Sequence, residues 1–475
     1  MENLQKKKKQ QFVRVVLTEI LMAVSVLCLT AFLTLLVLGY NIGDKGIERS
    51  GLVQINSIPT GATISIDGEE ELLFRTNLSK AYSKGKHKIT LTKNGYDTWE
   101  KEINVMEGYY YRLNYPRLFL SEVTTEKVID FEQYNVVARS TKGNALLVVE
   151  KNTPSKMDIV ELKGSKATVT GVDIADLYGS DAQVAVEFVE WSANDEKALV
   201  KTSINGVIEW VLVDLRSIKD SVNLTKTFGV DFIKMKFENG SASKILAIVD
   251  GDLREVSLSE EGISKVLVAN VSDFTNNGEN VVYVAENKEG KKIVGVYKEG
   301  EKAGTEIYEV DDQAQTVRLA TGTYYEDDFV GIAVDNHIMI YQGVLPSYDD
   351  EQRKELKDFN LIIEKELVFD VTELKMHGKG ELMVARNGEN LAVMDAEEFD
   401  IGEYKIADGE AKWLDDFMMY STRGNKITVW DFDGLNQRTL NIGEVLEGSP
   451  VMITENGKWM YYLDMRGVLR VAKVG

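Results

Sequence analysis

The chain is predicted to be all-β beyond a single N-terminal transmembrane helix, with a small β-sandwich-like domain followed by a seven- or eight-bladed β-propeller. Three observations predict this. Ile20 through Tyr40 is a run of 21 residues without a charge. Leu52 to about Leu113 consists of short alternating strands broken by Gly, Asp and Asn turns. Beyond Tyr115-Pro116, an apolar strand pair recurs at a spacing typical of propeller blades. The expected boundaries are 1–19 for a basic cytoplasmic tail, 20–40 for the anchor and 41–50 for a linker. Residues 51–115 then form the small domain, and 116–475 the propeller, with a helical insertion at about 346–360.

The apolar run is long enough to cross a bilayer, because 21 residues at ~1.5 Å rise span a hydrocarbon core of about 30 Å. It also exceeds the apolar region of a cleavable signal peptide, and no small-x-small site follows it in Gly39-Tyr40-Asn41-Ile42-Gly43-Asp44. Lys6, Lys7, Lys8, Lys9 and Arg14 precede it, so the positive charge holds the N-terminus inside. Residues 41–475 are therefore expected outside the cytoplasm, on a single-pass protein of the cell membrane. The one cysteine, Cys28, lies within this run and has no intrachain partner for a disulfide.

The 475 residues carry a formal charge of −21, with 44% hydrophobic and 28% charged residues. That composition supports large cores and argues against bulk disorder. Outside the first 43 residues the net charge is −24, which repels nucleic acid and anionic lipid surfaces. The expected contacts are the bilayer through residues 20–40 and an envelope protein or glycan ligand. Nucleic acid is not among them, and the sequence does not determine an oligomeric state.

In the small domain, Leu52–Ile58 and Thr63–Ile66 alternate in polarity, and Asp67-Gly68 marks a tight hairpin turn. Pro59-Thr60-Gly61-Ala62 makes a corner between the two strands. Gly85-Lys86-His87-Lys88-Ile89 starts another strand, and Gly95-Tyr96 ends it. Together these roughly 60 residues resemble the PEGA domain, with Thr60 in place of the Glu of its Pro-Glu-Gly-Ala signature. The resemblance implies a small β-sandwich-like module of envelope and surface-layer-associated proteins. It supplies structural motif residues (Pro59, Thr60, Gly61, Ala62, Asp67, Gly68, Gly85, Gly95 and Tyr96) and no catalytic ones. His87, set among lysines in a strand, has a structural role on this reading.

In the propeller region, repeat units begin at Ala145, Ala198, Ile245, Val281, Phe329, Glu381, Phe417 and Trp459. The turns Lys142-Gly143-Asn144, Asn194-Asp195-Glu196, Asn276-Asn277-Gly278 and Glu455-Asn456-Gly457-Lys458 precede four of these strands, where Asn and Gly accept positive φ. The pattern resembles WD40- and TolB-like propellers. The last unit lacks an outer strand, which Leu118–Val123 or Val128–Phe131 is expected to supply, hiding an exposed edge. Pro346–Phe359 breaks the rhythm with Tyr348, Gln352, Leu356 and Phe359 on one helical face.

No catalytic residue, cofactor or metal site is assigned. His87, His337 and His377 have no ligand spacing, and no nucleophile elbow, Walker loop or His-Glu-x-x-His occurs. Asp311-Asp312, Asp327-Asp328, Asp415-Asp416 and Asp431-Phe432-Asp433-Gly434 are expected in solvated loops and turns. The Asn-x-Ser/Thr triplets at Asn77, Asn223, Asn239 and Asn270 are coincidental in a bacterium, the source that the PEGA resemblance favours. The leading functional expectation is binding or scaffolding by a propeller face, with protein, peptide or glycan as ligand. An envelope glycan- or peptide-cleaving enzyme with carboxylates at the channel is the alternative, and an assembly factor for a membrane complex is the second alternative.

Overall fold

The computed structural model describes residues 2–37, 40–43, 46–130, 134–140, 142–150, 156–177, 184–204, 206–238, 243–260, 262–349, 358–377, 380–396, 400–406 and 411–475. It divides into two units, Met1–Glu122 with Gly475, and Val123–Val474.

The first unit opens with a helix, α1 (Glu2–Val37). Its apolar span covers Arg14–Thr34, 21 residues with a mean hydropathy of 2.3 and no part buried against the protein. Inside a membrane every polar group needs a partner in the helix itself. Thr18, Ser25, Thr30 and Thr34 meet this demand, each hydroxyl donating to the carbonyl four residues back at 2.8 Å. The expected anchor, residues 20–40, overlaps this span, but Tyr40 lies in a strand instead of the helix.

Strands β1 (Tyr40–Gly43), β2 (Gly46–Ile55), β3 (Thr63–Ile66), β4 (Glu69–Arg75), β5 (Leu78–Ser83), β6 (Gly85–Thr92), β7 (Trp99–Val105) and β8 (Tyr110–Leu113) follow. They form two four-stranded sheets, β1-β2-β5 with β8 parallel to β2, and β4-β3-β6-β7. Val53, Ile55, Ile64, Leu91 and Trp99 are buried, and the alternation along β7 is that of a strand with one face in a core. Gly51 in β2 is required by packing, since a Cβ there would lie 2.6 Å from the Met106 carbonyl oxygen.

Two expected boundaries need correction. The stretch 41–50 is not a linker, because β1 and the start of β2 pair as a hairpin, Tyr40 with Arg49 and Gly43 with Gly46. The small domain also runs past 115, and Leu118–Val123 does not close the propeller. The backbone of Pro116–Ser121 bonds back to Ile58, Gly95 and Asp97, which keeps these residues in the first unit.

The second unit holds eight four-stranded antiparallel sheets among the described residues. Their first strands are Tyr134–Arg139, Val184–Trp191, Phe232–Phe237, Val271–Asn277, Val317–Tyr324, Glu373–His377, Lys412–Trp413 and Met452–Ile453. Several consecutive first strands adjoin one another and form the inner rim. The eight repeat starts expected from sequence fall on or within one residue of the second strands of these sheets. Those strands are the most apolar because sheets cover both faces.

The eighth sheet has three strands of its own and takes β9 (Thr124–Asp130) as its fourth, antiparallel to Val468–Lys473. Val128 and Ile129, from the second of the two expected closing segments, lie in β9. Behind this seam Leu146 and Val148 of the first sheet pack with Tyr461, Leu463 and Val471 of the eighth. The Tyr461 hydroxyl donates to the carbonyls of Gly164 and Lys166 at 2.7 and 3.0 Å. The expected helical insertion lies largely outside the described residues, since 350–357 are not described. Of its described residues, 346–349 form no helix, with bends at Tyr348 and Asp349, and Phe359 begins a strand.

Leu146 is fully buried at the seam. Leu146→Ala is expected to cost about 2–5 kcal/mol, the range for a buried Leu that leaves a cavity. Val169→Ala, on an exposed outer strand, should stay within about 0.5 kcal/mol. Urea unfolding of the detergent-solubilised chain, followed by tryptophan fluorescence, measures both.

Candidate functional site

The motif residues of the small domain collect at the two ends of one sheet. At one end the Pro59–Ala62 corner enters β3 while Gly95-Tyr96 leaves β6. Lys93 Nζ joins them by donating to the Thr60 carbonyl at 2.6 Å. The Ile58-Pro59 bond is cis, and the Ser57 hydroxyl lies 2.7 Å from both the Pro59 carbonyl and the Thr76 hydroxyl oxygen. Ala62 is fully buried, and its N–H donates to Thr76 Oγ1.

At the other end Asp67 and Gly68, both at positive φ, reverse the chain from β3 into β4 beside Gly85 and His87 at the start of β6. The Asp67 carboxylate takes the Lys88 N–H at 2.8 Å and meets His87 Nδ1 at 2.7 Å. The Lys88 N–H bond is the largest cause holding this carboxyl below its ordinary range. These contacts all fasten turns, and His87 takes part in them through Asp67 and the Ser83 carbonyl.

Residues 50–117 match the family model of the PEGA domain. No curated protein matches the chain. Among solved structures, the β-propeller domain of Cps50 (Swd1) from Myceliophteria thermophila is similar, at 11% identity and a TM-score of 0.40. That likeness covers 74% of this chain and 100% of the other. The PEGA match thus covers the segment that carries the motif, ending two residues beyond the expected domain boundary.

The chemistry outside the PEGA domain is concentrated on the inner rim of the propeller, which sequence inspection missed. Four first strands carry a β-bulge, between Tyr134 and Val136, Phe188 and Glu190, Phe232 and Lys234, and Val271 and Asp273. A bulge bends its strand and re-aims the next side chain. Glu190 and Lys234 follow such bulges and reach the adjoining sheet. Glu190 Oε2 accepts the Phe237 N–H at 2.8 Å, while Lys234 pairs with Asp273 and donates to the Phe274 carbonyl. Asn276 donates to the Phe237 carbonyl and Asn277 to the Thr323 hydroxyl.

The chain of cross-sheet bonds continues around the rim. Arg318 Nε donates to the Thr372 carbonyl, and one strand farther out Arg386 Nη1 donates to the Ala411 carbonyl. His377 stacks on Trp413 with ring centroids 3.6 Å apart and meets the Asp415 carbonyl at 3.0 Å. Arg139 of the first sheet donates to the carbonyls of Trp413 and Leu414 in the seventh at 3.0 and 2.8 Å. Burial lowers the pKa of Arg139 and of Lys236 and raises that of the Glu190 carboxyl. Glu190 opposes the shift at Lys236, whereas the like charges of Lys234 and Lys375 add to it.

Two clefts open between sheets. One of about 230 Å³ is lined by Glu373, Lys375, Arg386, Lys412 and Trp413. Glu373 pairs there with both Lys375 and Arg386, which hold its carboxyl down against the opposing effect of burial. The other, about 530 Å³, lies between the first and second sheets, lined by Lys142, Glu161, Trp191, Asn194 and Arg216 among others.

The acidic pairs noted in sequence differ in their surroundings. Asp311 and Asp312 are exposed, as expected. Asp327 and Asp328 begin a strand instead of a solvated loop. Burial raises the Asp328 carboxyl while the Thr323 hydroxyl donates to it. Asp415 caps a turn, accepting from the N–H groups of Phe417 and Met418. Asp431 stands at a strand end as expected, but it is fully buried and bonded to Asn436. His337 pairs with Glu364 across neighbouring strands.

Among the described residues one carboxylate triad is close enough for a cation, Glu238, Glu255 and Glu299. Lys244 occupies it, with Nζ at 3.7, 3.6 and 2.6 Å from the three carboxylates. Glu299 raises the Lys244 ammonium pKa, and burial raises the Glu238 carboxyl. Lys244→Met should therefore destabilise the chain at neutral pH, with part of the loss recovered at mildly acidic pH as Glu238 takes up a proton. Melting temperatures at the two pH values measure this, and an equal loss at both would contradict it.

His377 supplies a second pH prediction. Burial is the largest cause holding its pKa below 6.5, against the pull of the Asp415 carbonyl. The unfolded chain therefore takes up the proton first as pH falls. Stability is complete above about pH 6.5 and declines below it. His377→Phe keeps a ring against Trp413 and should flatten that slope in unfolding measured from pH 7.5 to 5.

Proposed function

We propose that this chain is a membrane-anchored, extracytoplasmic binding or scaffolding protein. Its PEGA domain adjoins the anchor, and its propeller holds an envelope protein, peptide or glycan. The observation carrying this reading is the inner rim. Arg139, Glu190, Lys234 and Arg318 are committed to bonds with other sheets, which makes a rigid ring whose polar surface needs little ordering when a ligand binds. The larger cleft, with Lys142, Glu161, Asn194 and Arg216 around Trp191, offers donors and acceptors beside an aromatic wall. That mixture suits a peptide or a glycan better than an apolar ligand. The carboxylate triad gives no support to the hydrolytic alternative, because Lys244 neutralises it.

Protease treatment of intact cells and of inverted membrane vesicles tests the topology. Protease outside the cells is expected to release a resistant fragment beginning near Asp44–Gly51 or near the unit boundary at 122–123, while inverted vesicles protect it. Cutting of the bulk only in inverted vesicles would overturn the reading. For the cleft, Glu161→Lys combined with Lys142→Glu should weaken capture of envelope peptides or glycans at an unchanged melting temperature.

A further inference from the structure

The first unit exposes an apolar cluster that its own core does not use. Leu52 is 42% exposed, Met106 41%, Tyr109 55% and Tyr110 42%. Backbone bonds hold these residues together: the Leu52 N–H donates to the Tyr109 carbonyl at 2.9 Å, and Leu52 pairs with Tyr110 in the parallel β2–β8 ladder. Around them stand cations. Arg112 lies 5.1 Å from the Tyr110 ring centroid, and Arg49 and Lys84 both approach Glu107.

Strand direction decides where this cluster sits. The helix ends at Val37, and β1 runs from Tyr40 to Gly43. β2 runs back antiparallel and draws level with Tyr40 at Arg49. Its continuation, Ser50–Ile55, therefore passes Tyr40 toward the side from which the chain leaves the helix. Gly108 donates to the Ser50 carbonyl, so the Met106–Tyr110 turn belongs to that returning part. At ~3.3 Å per residue, Leu52 lies about 10 Å along the strand beyond Arg49. Three residues from Val37 to Tyr40 span at most about 11 Å. The chain thus tethers the cluster near the helix end, within reach of the polar layer that borders the hydrocarbon.

The geometry points to a second membrane contact: Leu52, Met106, Tyr109 and Tyr110 of the PEGA domain seat in the lipid headgroup layer beside the anchor. Tyrosine suits this layer because its ring is apolar and its hydroxyl remains wet. Arg49, Lys84 and Arg112 supply contacts for lipid phosphates at the edge of the cluster. The overall acidity of the chain does not oppose this, because the local groups are mainly basic. The inference rests on α1 being the anchor.

The test uses the full-length chain in vesicles of phosphatidylcholine and phosphatidylglycerol with no other protein. A nitroxide is attached at Met106→Cys or, separately, at Tyr109→Cys, each on a Cys28→Ser background. Asp312→Cys on the exposed propeller surface serves as the aqueous control, and natural Cys28 reports helix insertion. Collision rates with oxygen and with a water-soluble nickel chelate are compared. The expected result is a several-fold higher oxygen-to-nickel ratio at 106 and 109 than at 312. Adding Leu52→Ser and Tyr110→Ser should reduce that ratio toward the control. Ratios at 106 and 109 equal to 312, with Cys28 lipid-exposed, would overturn the second contact and leave the anchor standing. Aqueous exposure at Cys28 would instead overturn the anchor, and this inference with it.

Discussion

The propeller depends on one antiparallel pairing, between Thr124–Asp130 at its start and Val468–Lys473 at its end. Each sheet has apolar faces that only a neighbouring sheet can cover, so an open row of eight would leave two faces in water and, without β9, the Val468–Lys473 edge unpaired. Borrowing β9 completes the eighth sheet and places it against the first, where Leu146 and Val148 share a core with Tyr461 and Val471. The closing strand also locates the unit boundary. Residues 116–121 are held by the PEGA domain through Ile58, Gly95 and Asp97, and residues from 124 are held by the ring. Little chain remains between them.

Closure of the seam is supported on the inside by polar bonds between sheets. Arg139, Glu190, Lys234, Asn276, Arg318 and His377 each reach beyond their own sheet. Such groups are costly to bury alone and nearly neutral when paired, so they favour one arrangement of the sheets more than they add net stability. A surface made this way is held in one arrangement by its own bonds.

In the sequence, the second strand of each sheet was legible because sheets cover it on both sides, leaving runs such as Ala145–Val149 and Val281–Ala285 almost wholly apolar. The PEGA turns were legible because Asp67-Gly68 and Pro59–Ala62 owe their identity to local backbone geometry. The inner rim was not legible. Phe232–Phe237 places two lysines among apolar residues, a signal of partners that lie one sheet away and 39 or more residues distant in the chain. The stretch 41–50 looked like a linker because nothing in its composition reveals that β1 folds back on β2.

The amino-acid order alone determined the apolar helix, the all-β class, the PEGA motif and the repeat period, all of which rest on spacing and turn chemistry within a few residues. Tertiary structure alone decided which segment closes the ring, where the two units divide, that Lys244 fills the carboxylate triad, and that Asp431 is buried. Each of these depends on contacts between residues far apart in the chain, and burial and charge pairing are properties of neighbours in space.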